Sequence, residues 1–406
     1  MYDAAEPRPR IADAPGPASS PPAIRSAPMR LQPDAEPDGT FVSRMTFTGC
    51  GGEYFRIWVV NLFLSIVTLG IYSAWAKVRK TRYFWQNARL DGYVFDFLGN
   101  PVAILRGRIV ALLLLVAYSW GFEFSLTAGL VTIAVLLAAG PWLFVKAQQF
   151  KFGNTSFRGL RFGFAAPFAT GYRVVFPILV VWFSTTVVAA LVTKTSIGIG
   201  MSFGVVSIVS LLLIPGMHHR LKAFQHDYAT YGDRRFEFRP ALGAFYWVYI
   251  KGLAFVALGG IAGSVLVGAV LMPVMRRTAA PDAPSWLWYA TGVGTAVITY
   301  VVAWPYLAAR LQQVVWSHTR IEDVRFRTEI AAWPLFKLVL RNVALTLVTC
   351  GLYWPFAAVA LARYRVECMR VDADAPLADV AAGTFARASV AVGDAAADTF
   401  GMDLGL

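Results

Sequence analysis

Residues Asn61–Phe97 read NLFLSIVTLGIYSAWAKVRKTRYFWQNARLDGYVFDF. An apolar run ends in Ala74-Trp75, a cluster of Lys and Arg follows, and the stretch closes on the pair Phe95-x-Phe97. Its second half recurs along the chain at constant internal spacing. With Trp75, Trp142, Gly216 and Tyr306 at position zero, the fourth residue on is a cation each time: Arg79, Lys146, Arg220 and Arg310. The eighth is Tyr83, Phe150, Phe224 or Val314, and the twelfth Asn87, Asn154, Tyr228 or His318. The twentieth is Phe in every copy (Phe95, Phe162, Phe236, Phe326), and the twenty-second is Phe97, Phe164, Phe238 or Thr328. Ala74, Pro141, Pro215 and Pro305 stand immediately before position zero.

Offsets of zero, four and eight fall on one helix face. The unit therefore reads as a helix leaving a bilayer, its aromatic at the headgroup level while Lys or Arg snorkels to phosphate. A Phe-x-Phe pair puts both rings on one face of a short strand. Phe47 behaves as a fifth such strand, and the strands are predicted to pair or pack as a small layer against the membrane surface. Trp75, Arg79, Arg82, Tyr83, Lys146, Arg220, Arg310 and Arg363 are the candidate headgroup contacts, with anionic membrane lipid as the implied partner. Nine residues past the second Phe position lies Arg56, Arg106, Arg173, Trp247 or Lys337, as the next helix begins.

Composition fixes the class. With 57% apolar residues, 15% charged residues and a mean hydropathy of +0.54 over 406 residues, the chain is too apolar for a soluble protein. Runs such as 109–117 do not alternate, so a transmembrane barrel is excluded in favour of helices. Apolar segments near 102–120, 124–145, 168–192, 197–216, 244–272 and 286–308 predict six full transmembrane helices, with two shorter membrane segments at 54–76 and 334–358. The expected fold is an all-α polytopic membrane protein with short cytoplasmic Phe-x-Phe strands between helix pairs. Gly200-x3-Gly204 and Gly259-x3-Gly263 suggest close helix packing.

The net charge of +13 is uneven: residues 1–40 carry four Arg against six acids, and 371–406 one Arg against six Asp. The basic excess therefore sits in 41–370, where it reads as topology and lipid contact rather than nucleic-acid binding. Residues 1–40 are Pro- and Ala-rich and read as a disordered head, 41–370 as the membrane domain, and 371–406 as an acidic flexible tail. The four loops holding the repeated unit carry eighteen Lys and Arg, the opposite connections only Lys194, Arg276 and Arg277. By the positive-inside rule the repeated loops are cytoplasmic.

The two short segments match each other at a constant offset. Asn61, Thr68, Gly70, Tyr72, Ala76, Arg82 and Tyr83 return as Asn342, Thr349, Gly351, Tyr353, Ala357, Arg363 and Tyr364. No Phe-x-Phe follows the second copy, so it reads as truncated. Each segment has room for one crossing, or for a re-entrant hairpin breaking at Thr68-Leu69-Gly70 and Thr349-Cys350-Gly351. The charge bias favours re-entry, with both termini cytoplasmic.

The stretch FTGCGGEYFRIWVVNLFLSIVTLGIYSAWAKVRKTRYFWQNARLDGYVFDFLGNP, with TCGLYWPFAAVALARY near the end, resembles the YjgN-like family of bacterial inner-membrane proteins, a family defined by a domain of unknown function. The resemblance covers about 41–370 and implies a multi-pass protein of the bacterial inner membrane. It implies no activity, cofactor or catalytic residue.

The residues supply no chemistry either. No Asp or Glu lies in the middle of an apolar segment, which argues against a carboxylate proton relay. Cys50, Cys350 and Cys368 form no CxxC pair. His218-His219 with His226-Asp227 is the sole metal-like cluster, and adjacent His side chains on a helix point apart. No nucleophile elbow or acid–base pair is found, so the expectation is a non-enzyme without metal or cofactor. The polar groups at depth, Asn61, Thr68, Tyr72, Asn342, Thr349 and Tyr353, are the candidate substrate or pore residues of a small-molecule carrier or channel, the reading narrowly preferred. The alternative is a structural or lipid-organising protein that binds anionic headgroups through the basic–aromatic loops.

Overall fold

A computed structural model describes residues 34–35, 41–191, 196–277 and 285–374. The expectations for the Pro/Ala-rich head and for the acidic tail beyond residue 374 lie outside the described residues.

The strands are β1 (Asp34–Ala35), β2 (Phe41–Phe47), β3 (Ala88–Leu90), β4 (Tyr93–Phe97), β5 (Thr155–Phe157), β6 (Leu160–Phe164), β7 (Ala229–Tyr231), β8 (Arg234–Phe238), β9 (Thr319–Ile321), β10 (Val324–Thr328) and β11 (Met369–Ala373). Ten of them, β2 to β11, close into one antiparallel barrel: each pairs with the next, and β11 pairs with β2. β1 adds to β2 at Phe41 and Val42. This corrects the all-α expectation. The chain is mostly helical, but its strands form a closed barrel rather than a loose surface layer.

Four two-residue turns join β3 to β4, β5 to β6, β7 to β8 and β9 to β10. Asp91-Gly92 and Arg158-Gly159 hold both residues at positive φ, the backbone twist that tight hairpins favour. The fifth hairpin has no turn. β11, at the end of the fold, pairs with β2, at its start, in the register Arg370↔Arg44 through Ala373↔Phe41. The repeat that looked truncated after residue 364 is thus completed by the beginning of the chain, and Phe47 is its Phe.

The Phe-x-Phe positions face inward. Phe95 lies opposite Phe157, Phe162 opposite Tyr231, Phe236 opposite Ile321 and Phe326 opposite Val371. Rings follow one another round the wall: Phe95–Phe157 at 4.5 Å, Phe162–Tyr231 at 4.9 Å, Phe236–Phe326 at 6.2 Å. Leu160 and Val324 are buried although they adjoin the turns, at the end of the barrel away from the helices. Burial there requires an inward orientation. Each fully buried aromatic contributes roughly 2–3 kcal/mol of apolar transfer, so the barrel holds a core rather than a water-filled lumen.

Each longer connection carries a helix pair: α1 (Gly51–Val67) with α2 (Ser73–Asn87), α3 (Pro101–Phe124) with α4 (Leu126–Gly153), α5 (Phe168–Leu191) with α6 (Ser196–Asp227), α7 (Leu242–Arg277) with α8 (Ser285–Ser317), and α9 (Ala332–Val348) with α10 (Trp354–Glu367). Every pair leaves one barrel strand and returns to the next, so five helix pairs stand on one end of five hairpins. The six helices α3 to α8 are long and apolar enough to cross a membrane, as expected. Pro141, Pro215 and Pro305 lie inside α4, α6 and α8, whereas the equivalent Ala74 and Pro355 lie in the first turns of α2 and α10. The repeated unit is therefore one helix segment, fused to a long apolar helix in three copies and preceded by a chain reversal in two.

Each short segment folds as helix, break, helix at the expected break points. Leu69 and Gly70 take φ of 50° and 90°, Cys350 and Gly351 of 49° and 92°. The Gly70 amide donates to Ser65 O at 2.7 Å and that of Gly351 to Thr346 O at 2.8 Å, the bond that ends a helix on a left-handed residue. One glycine prediction holds, and the other falls partly on Gly200, whose surroundings lie outside the described residues. A Cβ on Gly259 or Gly263 would come within 3.0 Å of the Thr299 or Thr295 backbone, so α7 and α8 touch there. Gly204 faces open space.

Candidate functional site

The polar residues at depth sit inside the two terminal hairpins, where most serve the fold. Thr68 Oγ1 donates to Leu64 O at 2.7 Å and accepts from Tyr72 N at 2.9 Å. Thr349 repeats this with Leu345 O at 2.7 Å and Tyr353 N at 3.0 Å. Both threonines thus secure the chain reversal. Asn61 and Asn342 are buried, and Asn342 Nδ2 donates to Ala357 O at 3.4 Å within its own hairpin. The Oδ1 atoms of both asparagines and the Tyr72 hydroxyl are buried without a hydrogen-bond partner. Tyr353 stacks on Phe356 at 5.5 Å. Each set belongs to one hairpin, and no described contact joins the two into a shared path.

Three of the residues read as headgroup contacts, Arg82, Tyr83 and Arg363, tie the helices to the barrel, and so does Tyr364. Arg82 Nε donates to Phe97 O at 3.2 Å, and its counterpart Arg363 Nη2 to Gly49 O at 2.7 Å. The Tyr83 hydroxyl donates to Cys50 O at 2.8 Å and accepts from Cys50 N at 2.9 Å. Burial first, and the Glu53 carboxylate beside it, push the Tyr83 phenol up to about 12. Tyr364 does the same with Ala331 O at 3.0 Å and Ala331 N at 3.1 Å. Arg and Tyr together staple the returning helix to the start of its own hairpin and to the adjoining strand end. Trp75 is half-buried and stacks on Tyr72 at 6.1 Å.

The position-four cations are the accessible ones. Arg79, Arg220 and Arg310 are exposed and Lys146 half-buried. Arg79 lies 5.6 Å from the Tyr72 ring centroid and Lys146 5.3 Å from that of Phe168. Two further pairs join them at the incoming helices: Lys251 over Trp247 at 4.6 Å and Lys337 over Trp333 at 5.3 Å. Lys251 was missed in the sequence, where the incoming series showed Trp247 in place of a cation. The signal was the cation one helical turn later. Such pairs, with Trp247 and Trp333 largely exposed, are what a boundary between hydrocarbon and water selects.

The metal-like cluster disperses. His218 Nδ1 meets Tyr249 Oη at 2.8 Å, His219 Nε2 accepts from Ala241 N at 3.1 Å, and His226 Nδ1 meets Thr319 Oγ1 at 3.1 Å. Asp227 Oδ1 accepts from Phe238 N at 2.7 Å. These partners lie on different elements: His219 and His226 pack on Phe238, and His218 packs on Phe245 and Tyr249. Two clefts open between helices. One of about 410 Å³ lies between α7 and α8, beside Val256, Tyr300 and Leu307, and one of about 180 Å³ between α5 and α6, beside Val180, Val205 and Val209. Both are almost wholly apolar.

"Inner membrane protein YjgN" of Salmonella typhimurium is 24% identical over 354 residues, covering 81% of this chain and 88% of that protein. The protein of the same name in Escherichia coli is 26% identical over 342 residues, covering 77% and 84%. No solved structure matches the chain. A family model described as "Bacterial protein of unknown function (DUF898)" matches residues 42–399, running past the expected limit of the resemblance at 370. With the paired terminal hairpins and their repeated Arg–Tyr staples in place, that match over most of the chain establishes that this is a polytopic membrane protein belonging to the DUF898 family, the one represented by the YjgN inner-membrane proteins.

Proposed function

We propose that this protein is a lipid-organising component of the bacterial inner membrane. It collects anionic headgroups around the junction of barrel and helices and disturbs one leaflet with its two short hairpins. The observation that carries the reading is the exposed apolar tip of each hairpin. Leu69 is 95% exposed and Val348 81%, with Phe63, Ile66 and Leu347 exposed beside them. The exposed part of α1, from Val59 to Val67, is about 13 Å long at ~1.5 Å per residue. A bilayer core of about 30 Å gives each leaflet about 15 Å. The hairpins fit as wedges in the leaflet next to the barrel, side by side through α1 and α10, while α3 to α8 cross fully. The charge bias supports a cytoplasmic barrel.

Headgroup capture follows from the boundary cations, since each Lys or Arg near an anionic surface contributes about 1 kcal/mol. Protein exchanged into nanodiscs of mixed phosphatidylglycerol and phosphatidylcholine is expected to retain phosphatidylglycerol through detergent washing, counted by native mass spectrometry. Replacing Arg79, Lys146, Arg220 and Arg310 together by Gln should abolish the preference. Equal retention of both lipids by the unaltered protein would overturn the reading.

A carrier or channel is the second reading. It is favoured by three buried polar atoms in the terminal hairpins that lack a hydrogen-bond partner, Asn61 Oδ1, Asn342 Oδ1 and Tyr72 Oη. Solute flux in liposomes that stops in Asn61→Ala and Asn342→Ala would support it.

A further inference from the structure

The outer wall of the barrel is uneven in charge. Across five adjacent strands, β9, β10, β11, β2 and β3, it presents Arg320, Arg325, Arg327, Arg370, Arg44 and Arg89. Arg327 lies opposite Arg370, and Arg370 opposite Arg44, so three guanidinium side chains stand in one row. Like charges directly opposite on a sheet face oppose the pairing. Acids answer only part of the wall: Asp372 is 2.8 Å from Arg327, Glu329 2.7 Å from Arg370, and Glu237 2.7 Å from Arg320. Arg44, Arg89 and Arg325 are exposed and have no ion-pair partner among the described residues.

The chain leaves the barrel in the middle of this wall. β11 ends at Ala373, between β10 and β2, and residues 374–406 follow, with Asp374, Asp379, Asp394, Asp398 and Asp403 against a single cation, Arg387. We propose that the acidic segment 374–406 docks on this arginine wall, its carboxylates opposing Arg44, Arg89 and Arg325. Two things favour this occupant over an acidic partner protein. Its charge is complementary, and its attachment point fixes it at an effective concentration on the order of millimolar. The segment then shields the one face of the barrel on which like charges crowd, and an acidic or anionic partner gains the wall only by displacing it.

Arg387 supplies the readout, because it is the sole trypsin site in 374–406. Full-length protein in detergent is digested briefly, and the rate of cleavage after Arg387 is followed by mass spectrometry. At low salt the site should be protected, and about 0.5 M NaCl, which shortens screening to a few ångströms, should speed cleavage about fivefold. A variant carrying Arg44→Gln, Arg89→Gln and Arg325→Gln should be cut at the fast rate without added salt. A second variant, Asp379→Asn with Asp394→Asn and Asp398→Asn, leaves the barrel untouched and should match it. Equal rates in all three proteins would overturn the proposal. So would acceleration in the arginine variant alone, which signals a loosened barrel. Protection that shifts instead at Arg25 and Arg30 would assign the wall to the N-terminal segment.

Discussion

Replacing Phe95 by Ala removes a ring from the centre of the barrel. Phe95 is 9% exposed, stacks on Phe157 at 4.5 Å and meets Trp85 at 5.5 Å. Truncating a buried Phe costs about 3–5 kcal/mol through lost transfer energy and the cavity left behind. The stack with Phe157 accounts for about 0.5–1.5 kcal/mol of that. Because strands of three and five residues offer little else to hold the barrel shut, we expect a loss near the upper end of that range. Denaturant unfolding in mild detergent can be followed by the fluorescence of the chain's tryptophans, Trp85 beside Phe95 among them. A double-mutant cycle with Phe157→Ala should return a coupling of about 0.5–1.5 kcal/mol. Phe63→Ala, at an exposed hairpin tip, should cost little by the same assay. A loss below about 1 kcal/mol for Phe95→Ala, or no coupling to Phe157, would refute a packed barrel core.

Other outcomes follow from the same geometry. Gly259→Leu should drive α7 from α8 and destabilise by about 1–3 kcal/mol, whereas Gly204→Leu should be neutral, read as thermal inactivation in detergent. Tyr83→Phe removes the partner of the Cys50 amide, while the Cys50 carbonyl keeps the Tyr54 amide, and should cost about 0.5–1.5 kcal/mol. Tyr364→Phe should match it through Ala331, and both should raise the hydrogen-exchange rate of those amides. Joining Ala373 to Phe41 through a two-residue turn, and opening the chain between Gly232 and Asp233, should give a protein that still folds, because the fifth hairpin already pairs without a turn. Loss of folded protein in that permutant would mean the seam differs from the other four hairpins.

The repeat was legible because its residues carry its physics at fixed spacing. A cation and aromatics down one helix face, then two Phe on one strand face, survive as a pattern wherever the unit recurs. The four three-residue strands were not legible. Ala-Arg-Leu at β3 or Thr-Ser-Phe at β5 is too short to show alternation, and each follows a helix with at most one residue between. Closure was hidden for another reason: β11 meets β2 from the opposite end of the fold, and no local signal reports such a pairing. At the candidate sites the sequence showed polarity at depth but not which backbone group each side chain would meet. Thr68 and Thr349 therefore read as pore residues, while the hydrogen bonds by which they secure the reversals left no mark in the sequence. Arg82 and Arg363 looked like headgroup ligands and bind strand-end carbonyls. The position of each chain break was anticipated, since both fall at the Thr-x-Gly steps Thr68-Leu69-Gly70 and Thr349-Cys350-Gly351.

The proposed function needs two hairpins that stop inside one leaflet, and the chain's own cysteines test this. Cys50 is exposed just before α1, on the barrel side, and Cys350 is exposed at the tip of the α9–α10 hairpin. In sealed right-side-out and inverted membrane vesicles, a charged maleimide should label Cys50 from the barrel side and Cys350 from neither, while an apolar maleimide should label Cys350 in both. Labelling of Cys350 by the charged reagent from the side opposite Cys50 would show that the segment crosses the membrane, and would contradict the account.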